Sequence, residues 1–175
     1  MNLVLIGYRG VGKSTIGRLL AAELCMPYVG LDAEIVRRAG MSVAAMVKKH
    51  SWDYFRDRES EVVADFAARD GQVLDTGGGA ILRAKNVEAL KRNGLVFLLW
   101  ASVADIVRRI GSGGERPSLT GTKSFVEEAA EVLAERESLY RAAADHTIDT
   151  SRISATDAAR KIAAIFRGAK SPPSR

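Results

Sequence analysis

The sequence predicts an α/β domain built on a parallel sheet, and three observations carry the prediction. Apolar runs of strand length alternate with longer stretches of helical period along the chain, the pattern of strands joined by helical crossovers. The first such junction holds "GYRGVGKS" (7 to 14), a match to the phosphate-loop pattern G-x-x-x-x-G-K-S between an expected strand and an expected helix. A chain of 175 residues, 47% apolar and 27% charged, suits one globular domain with a sizeable core.

The first strand is "LVLI" (3 to 6), followed by a helix "KSTIGRLLAAELC" (13 to 25) with Ile16, Leu19, Leu20 and Leu24 on one face. "YVGL" (28 to 31) reads as a short second strand, and the helix opening with "DAEIVRRAG" stops at Gly40. "SVAAMVKKH" and "WDYFRDRESEVVADFAAR" are two further helices, and "QVLD" (72 to 75) is the third strand. "NVEALKRNG" is a capped helix, "LVFLLW" (95 to 100) a fully buried fourth strand, and "VADIVRRIG" the helix after it. The glycine-rich "SGGERPSLTGTKS" has no periodicity and is expected to be a mobile lid or a disordered insert. A long helix "FVEEAAEVLAERESLYRAAA", a fifth strand "HTID" (146 to 149) and a closing helix "ATDAARKIAAIF" complete the chain. The expected organisation is one domain over 1–168, with a lid at about 111–123 and a flexible tail over 169–175.

Composition removes several function classes. The longest apolar run, "GLVFLLWA", is too short to span a membrane, and the start lacks the basic leader of a signal peptide, so a cytoplasmic location is expected. Cys25 is the only cysteine, which excludes an internal disulfide and a cysteine-built metal site; it reads as a small buried residue on a helix. The net charge of +5 could signal nucleic acid, but the basic residues are scattered without interleaved aromatics, and an anionic small-molecule ligand explains the excess equally well; no nucleic-acid partner is expected.

The phosphate loop places backbone N–H groups of Gly10, Gly12 and Lys13 at a helix start, where they and the helix dipole favour phosphate oxygens. Lys13 would reach the β and γ phosphates and the Ser14 hydroxyl would hold Mg²⁺. The short chain has no room for an added regulatory or motor domain and lacks a guanine-reading N-K-x-D motif, and a lid loop between two late helices suits a reaction that must exclude water, so a small-molecule kinase is the economical reading.

Five other features bear on that reading, each with a plain interpretation of its own. Asp32 follows the second strand, where it could accept the proton of an attacking hydroxyl or cap the next helix. Arg56 and Glu59 lie three apart on one helical face, either as an oriented guanidinium for a substrate carboxylate or as a surface ion pair. "TGGG" (76 to 79) is a tight turn after a buried strand or a place where ligand touches backbone. Arg116, in the expected lid, could offset charge on the phosphates or serve solubility, and Arg136 alone reads as one charge on a polar helix face. His50, His146, Trp52 and Trp100 read as packing or boundary residues.

Together "GVGKST", "LDAEI", "FRDRE", "TGGGA", "RRIGSGGERP", "ERESLY" and "IDT" resemble the shikimate kinase family across roughly residues 3 to 166. The resemblance implies a three-layer phosphate-loop fold like that of nucleoside monophosphate kinases, with a five-stranded parallel sheet of order 2-3-1-4-5, helices on both faces and a mobile lid. It also implies transfer of the γ-phosphoryl of ATP to the 3-hydroxyl of shikimate, on the way to chorismate and the aromatic amino acids, by a monomer. On that basis Gly10, Val11, Gly12, Lys13, Ser14 and Thr15 hold the phosphates, and Asp32 holds the attacking hydroxyl. Arg56 and Arg136 grip the substrate carboxylate, and Gly77, Gly78 and Gly79 offer backbone contact. Arg116 is the lid arginine, and Arg109 and the stretch near Arg152 flank the adenine.

The sequence departs from the family at one informative place. Family members commonly carry two acids as Asp-x-Asp after the second strand, the first holding Mg²⁺ through water; here that position is Gly30. Asp75 ends the third strand, where many phosphate-loop enzymes place a metal-holding acid, and is expected to take over the role. Glu34 is a second candidate that should point away, and Ser118 stands where an apolar residue is usual after the lid Arg-Pro. Three rivals remain: another small-molecule kinase on the same fold, such as a gluconate kinase; a nucleotide-binding regulator without turnover; and a basic nucleic-acid binder, which predicts strongly salt-dependent binding.

Overall fold

The computed structural model describes residues 1–111 and 125–170. The expected lid beyond Gly111, with Arg116 and Ser118, and the tail over 171–175 lie outside the described residues.

Five strands form one parallel sheet in the order β2-β3-β1-β4-β5. They are β1 (Asn2–Ile6), β2 (Tyr28–Gly30), β3 (Val73–Asp75), β4 (Gly94–Trp100) and β5 (His146–Asp149). The helices are α1 (Lys13–Leu24), α2 (Leu31–Ala39), α3 (Val43–Lys49), α4 (Trp52–Ala67), α5 (Ala84–Arg92), α6 (Val103–Gly111), α7 (Phe125–Ala143) and α8 (Ala155–Lys170).

β1 is central and every residue in it is buried, because crossover helices cover both faces of a parallel sheet. Its side chains alternate: Leu3 and Leu5 join Phe97 and Leu99 in a core completed by α1, α6, α7 and α8. Val4 and Ile6 join Val96 and Leu98 in a second core against α2, α3, α4 and α5. A fully buried Leu20, Ile162 or Phe166 contributes about 1.5–3 kcal/mol relative to exposure, so the α1–α8 contact is a main support of the phosphate-loop helix.

Several local expectations need correction. Leu19, placed on the apolar face of α1, is 37% exposed. Cys25 is exposed rather than buried in the helix: it takes a left-handed φ of 51° just past α1, where its N–H closes on the carbonyls of Ala21 and Ala22. α5 begins two residues before Asn86, whose side chain is buried and donates to the Ala80 carbonyl across a 3₁₀ turn (Ala80–Leu82) instead of capping. The closing helix continues to Lys170, beyond the boundary expected at 168.

All five strands run the same way, so their carboxyl ends share one edge, where open α/β sheets bind ligands. Among the described residues no helix is long and apolar enough to cross a membrane.

Candidate active site

The loop between β1 and α1 is shaped by left-handed glycines, with φ of 83° at Gly10 and 99° at Gly12. Gly12 is the N-cap of α1 and makes no side-chain cap bond, so the first-turn N–H groups face the cleft as an anion cradle. Lys13 Nζ folds over the loop and donates to the carbonyls of Gly7 (2.8 Å) and Tyr8 (3.0 Å). Burial lowers its pKa, an effect opposed by the carboxylates of Asp75 and Asp32.

A cleft of about 800 Å³ opens over this loop and reaches Asp32, Asp75, Arg109 and Thr150. At the end of β3, Asp75 is 7% exposed, and its Oδ2 accepts from both the Ser14 hydroxyl and the Tyr28 hydroxyl at 2.7 Å. Asp75 sits in register beside Gly30 on β2, so an acid occupies the strand neighbour of Gly30. Burial, followed by the bond to Asp75, pushes the Tyr28 phenol up to about 12.

Asp32 falls at the second position of α2, whose N-cap is Gly30 with no side-chain cap bond, so the capping alternative fails. Asp32 is exposed and lines the cleft, with its Oδ1 packed against Gly77. Desolvation pushes its pKa up, with Lys13 and Arg56 opposing and Asp75 adding to the rise. Glu34 points away, as expected; hydrogen bonds from Arg37 and Arg38 hold it down to about 2.

Beyond Asp32 the triple glycine meets α4. A Cβ on Gly77 would collide with Asp32 Oδ1 and lie 3.1 Å from Glu59 Oε1, and one on Gly79 would strike the Arg56 guanidinium. Glycine is needed at both places so that acid and guanidinium can lie against the loop backbone. Arg56 Nη1 donates to Glu59 Oε2 at 2.7 Å with the side chains 15% and 2% exposed, which is an enclosed pair and not a surface one. Glu59 Oε1 is buried without a hydrogen-bond partner, and desolvation pushes this carboxyl up. From α7, Arg136 Nη1 reaches the Gly78 carbonyl at 3.4 Å and the Tyr140 hydroxyl donates to the same oxygen.

A model of the shikimate kinase family matches residues 9–166. The chain belongs to the shikimate kinase family. It is 44% identical over 150 residues to a shikimate kinase from Nitratidesulfovibrio vulgaris, covering 84% of this chain and 85% of that one. With a shikimate kinase from Syntrophus aciditrophicus it shares 41% over 177 residues, 95% and 91% of the two chains. Its structure is similar to that of a shikimate kinase from Acinetobacter baumannii in complex with shikimate, with a TM-score of 0.90, 35% identity and coverage of 98% and 95%.

In this shikimate kinase fold Arg109 lines the cleft, donating to the Thr150 carbonyl (2.6 Å) and hydroxyl (3.1 Å). Arg152 is exposed and does not line the cleft; Ile153 and Ala155 do. Tyr28, Tyr140 and Thr150 escaped the sequence reading. Two had a usable signal: Tyr140 is one helical turn past Arg136, and Tyr28 is two residues before Gly30 on the same strand face.

No three His, Cys, Asp or Glu side chains cluster as a metal cage among the described residues. The Ser14 hydroxyl bonded to a buried carboxylate is nevertheless a hard oxygen set, which suits Mg²⁺ shared with substrate phosphates and water.

Proposed function

We propose that the cleft transfers the γ-phosphoryl of ATP to the 3-hydroxyl of shikimate, with the roles divided among the residues just described. The observation that carries this is the convergence of Asp32 and the Arg56–Glu59 pair on the backbone of Gly77 to Gly79, with the Lys13 charge close enough to act on Asp32. Phosphates lie on Gly10 to Thr15, with Lys13 turning from the loop carbonyls to the β and γ oxygens. Asp32 holds the shikimate hydroxyl in line; as oxygen bonds to the γ-phosphorus and the bridge to ADP breaks, Asp32 takes the proton. Its raised pKa makes it a better base than an ordinary aspartate. Arg56, kept in one orientation by Glu59, and Arg136 grip the shikimate carboxylate, and Gly77, Gly78 and Gly79 form the floor between them.

Bound Mg²⁺ would spread the charge of the transferring phosphoryl group, held by Ser14 and, through water, by Asp75. Arg116 would act from the lid over about 111–123, and Arg109 with the stretch near Arg152 would border the adenine. We further take the enzyme to be a cytoplasmic monomer that acts without nucleic acid.

An assay of ADP release with shikimate, gluconate and AMP in parallel tests the reading. Release with shikimate alone is expected. Turnover with gluconate instead overturns the substrate, and ATP binding with no turnover on any of the three indicates a nucleotide-binding regulator.

A further inference from the structure

Asp75 holds its place through two hydroxyls, and only Ser14 belongs to the phosphate loop. The other, Tyr28, donates to the same Oδ2 atom at the same 2.7 Å. Its ring lies between α1 and the Arg18 side chain. A Cβ on Gly17, in the interior of α1, would lie 2.8 Å from Tyr28 Cε2 and 3.3 Å from Leu5 Cδ1, so the helix lacks a side chain where the ring lies. Glycine inside a helix costs about 0.5–1 kcal/mol relative to alanine, and close approach of the ring is the physical reason to keep one there. The Arg18 guanidinium covers the ring at 5.2 Å from its centroid.

Gly30 puts no side chain into the space beside the Tyr28 hydroxyl. Its φ of −86° and ψ of 106° are open to any residue, so backbone conformation does not require glycine. A Cβ there would sit 3.4 Å from the Tyr28 hydroxyl. A larger side chain at position 30 would share the space in which that hydroxyl meets Asp75. Residue 30 lacks an acid, residue 75 carries one in register beside it, and Tyr28 bridges the two places.

We propose that Tyr28 is a positioning residue for the metal-holding acid: it fixes the Asp75 carboxylate against Ser14 and so sets how tightly the site holds a divalent cation with nucleotide. The inference rests on the assignment of Asp75 to the metal made above. A hydroxyl that orients a water-linked carboxylate acts on cation affinity more than on the fold, because the ring slot persists without it.

Tyr28→Phe keeps the ring and deletes only the hydroxyl. The probe is Mn²⁺ with ADP, followed by the free-Mn²⁺ electron paramagnetic resonance signal, beside calorimetric titration of ADP alone in chelator and the melting temperature of the unliganded protein. The expected result is Mn²⁺ binding weakened about tenfold in the ADP complex, with metal-free ADP affinity and melting temperature close to those of the parent. Asp75→Ser run alongside separates the two claims. If neither variant weakens Mn²⁺ binding, the assignment of Asp75 to the metal falls. Mn²⁺ binding weakened by Asp75→Ser and unchanged by Tyr28→Phe overturns the role of Tyr28 alone. A Tyr28→Phe protein that loses melting temperature and metal-free ADP affinity together would mark Tyr28 as structural and also overturn the proposal.

Discussion

At the scale of single residues, Asp32 and Arg56 separate what serves chemistry from what serves the fold. Desolvation raises the Asp32 pKa against the opposing charges of Lys13 and Arg56, so the neutral carboxyl is somewhat more favoured in the folded chain than in the unfolded one, an effect that solvent at this exposed residue keeps small. The stabilising side of such a shift is fully present below the ordinary value near 3.8 and is lost as pH rises through the folded pKa. Asp32→Asn should therefore raise the melting temperature of the unliganded protein at pH 7 to 8, a gain that disappears in acid, while lowering kcat by about 10² to 10⁴. Calorimetry across pH with steady-state kinetics checks both halves; a fall in melting temperature at pH 8 would contradict the sign. Arg56→Lys keeps the charge and loses the two-pronged fork held by Glu59, so KM for shikimate should rise about tenfold or more with kcat much less affected. Asp32, Arg56 and the triple glycine were legible because carboxylate, guanidinium and glycine each stand out in a sequence. Tyr28 and Tyr140 were not, since an aromatic residue in a strand or helix reads as core until its hydroxyl is seen to find a partner.

At the scale of elements, α4 shows how a helix start can govern a site. Ser51 accepts from the Tyr54 N–H and caps the helix one turn and a half before Arg56. Ser51→Ala should cost about 1 kcal/mol, seen as a melting temperature lower by about 2–4 °C, with KM for shikimate nearly unchanged because Glu59 still holds Arg56. A large rise in that KM would mean that the cap, and not Glu59, orients the guanidinium. Element existence and type were readable from apolar period throughout, and the ends were less so. Asn86 looked like a capping residue by composition, yet the 3₁₀ turn after the triple glycine starts α5 early and draws Asn86 inside to satisfy a buried carbonyl. Cys25 resembled a core residue by type and proved to be a left-handed helix end, a conformation that composition does not announce.

At the scale of the whole molecule, two cores separated by one sheet divide the labour. The α1–α8 side supports the phosphate loop and the α2–α4 side supports the residues assigned to substrate. Phe166 is fully buried on the first side and far along α8 from the cleft. Phe166→Ala should cost about 3–5 kcal/mol, measured as a denaturant midpoint, and leave KM for shikimate per folded molecule unchanged. The strand order follows from neither composition nor period, because both describe strands without neighbours; only the family resemblance anticipated it. The pairing of β2 with β3 has a consequence beyond this cleft. Adjacent parallel strands present two distant sequence positions, here 30 and 75, to nearly one point in space. On the proposed assignment of Asp75 to the metal, a chemical group changes its address in the chain while keeping its address in the molecule. A pattern that demands an acid at a fixed column would reject this chain, whereas one that asks for a carboxylate beside the Ser14 hydroxyl accepts it.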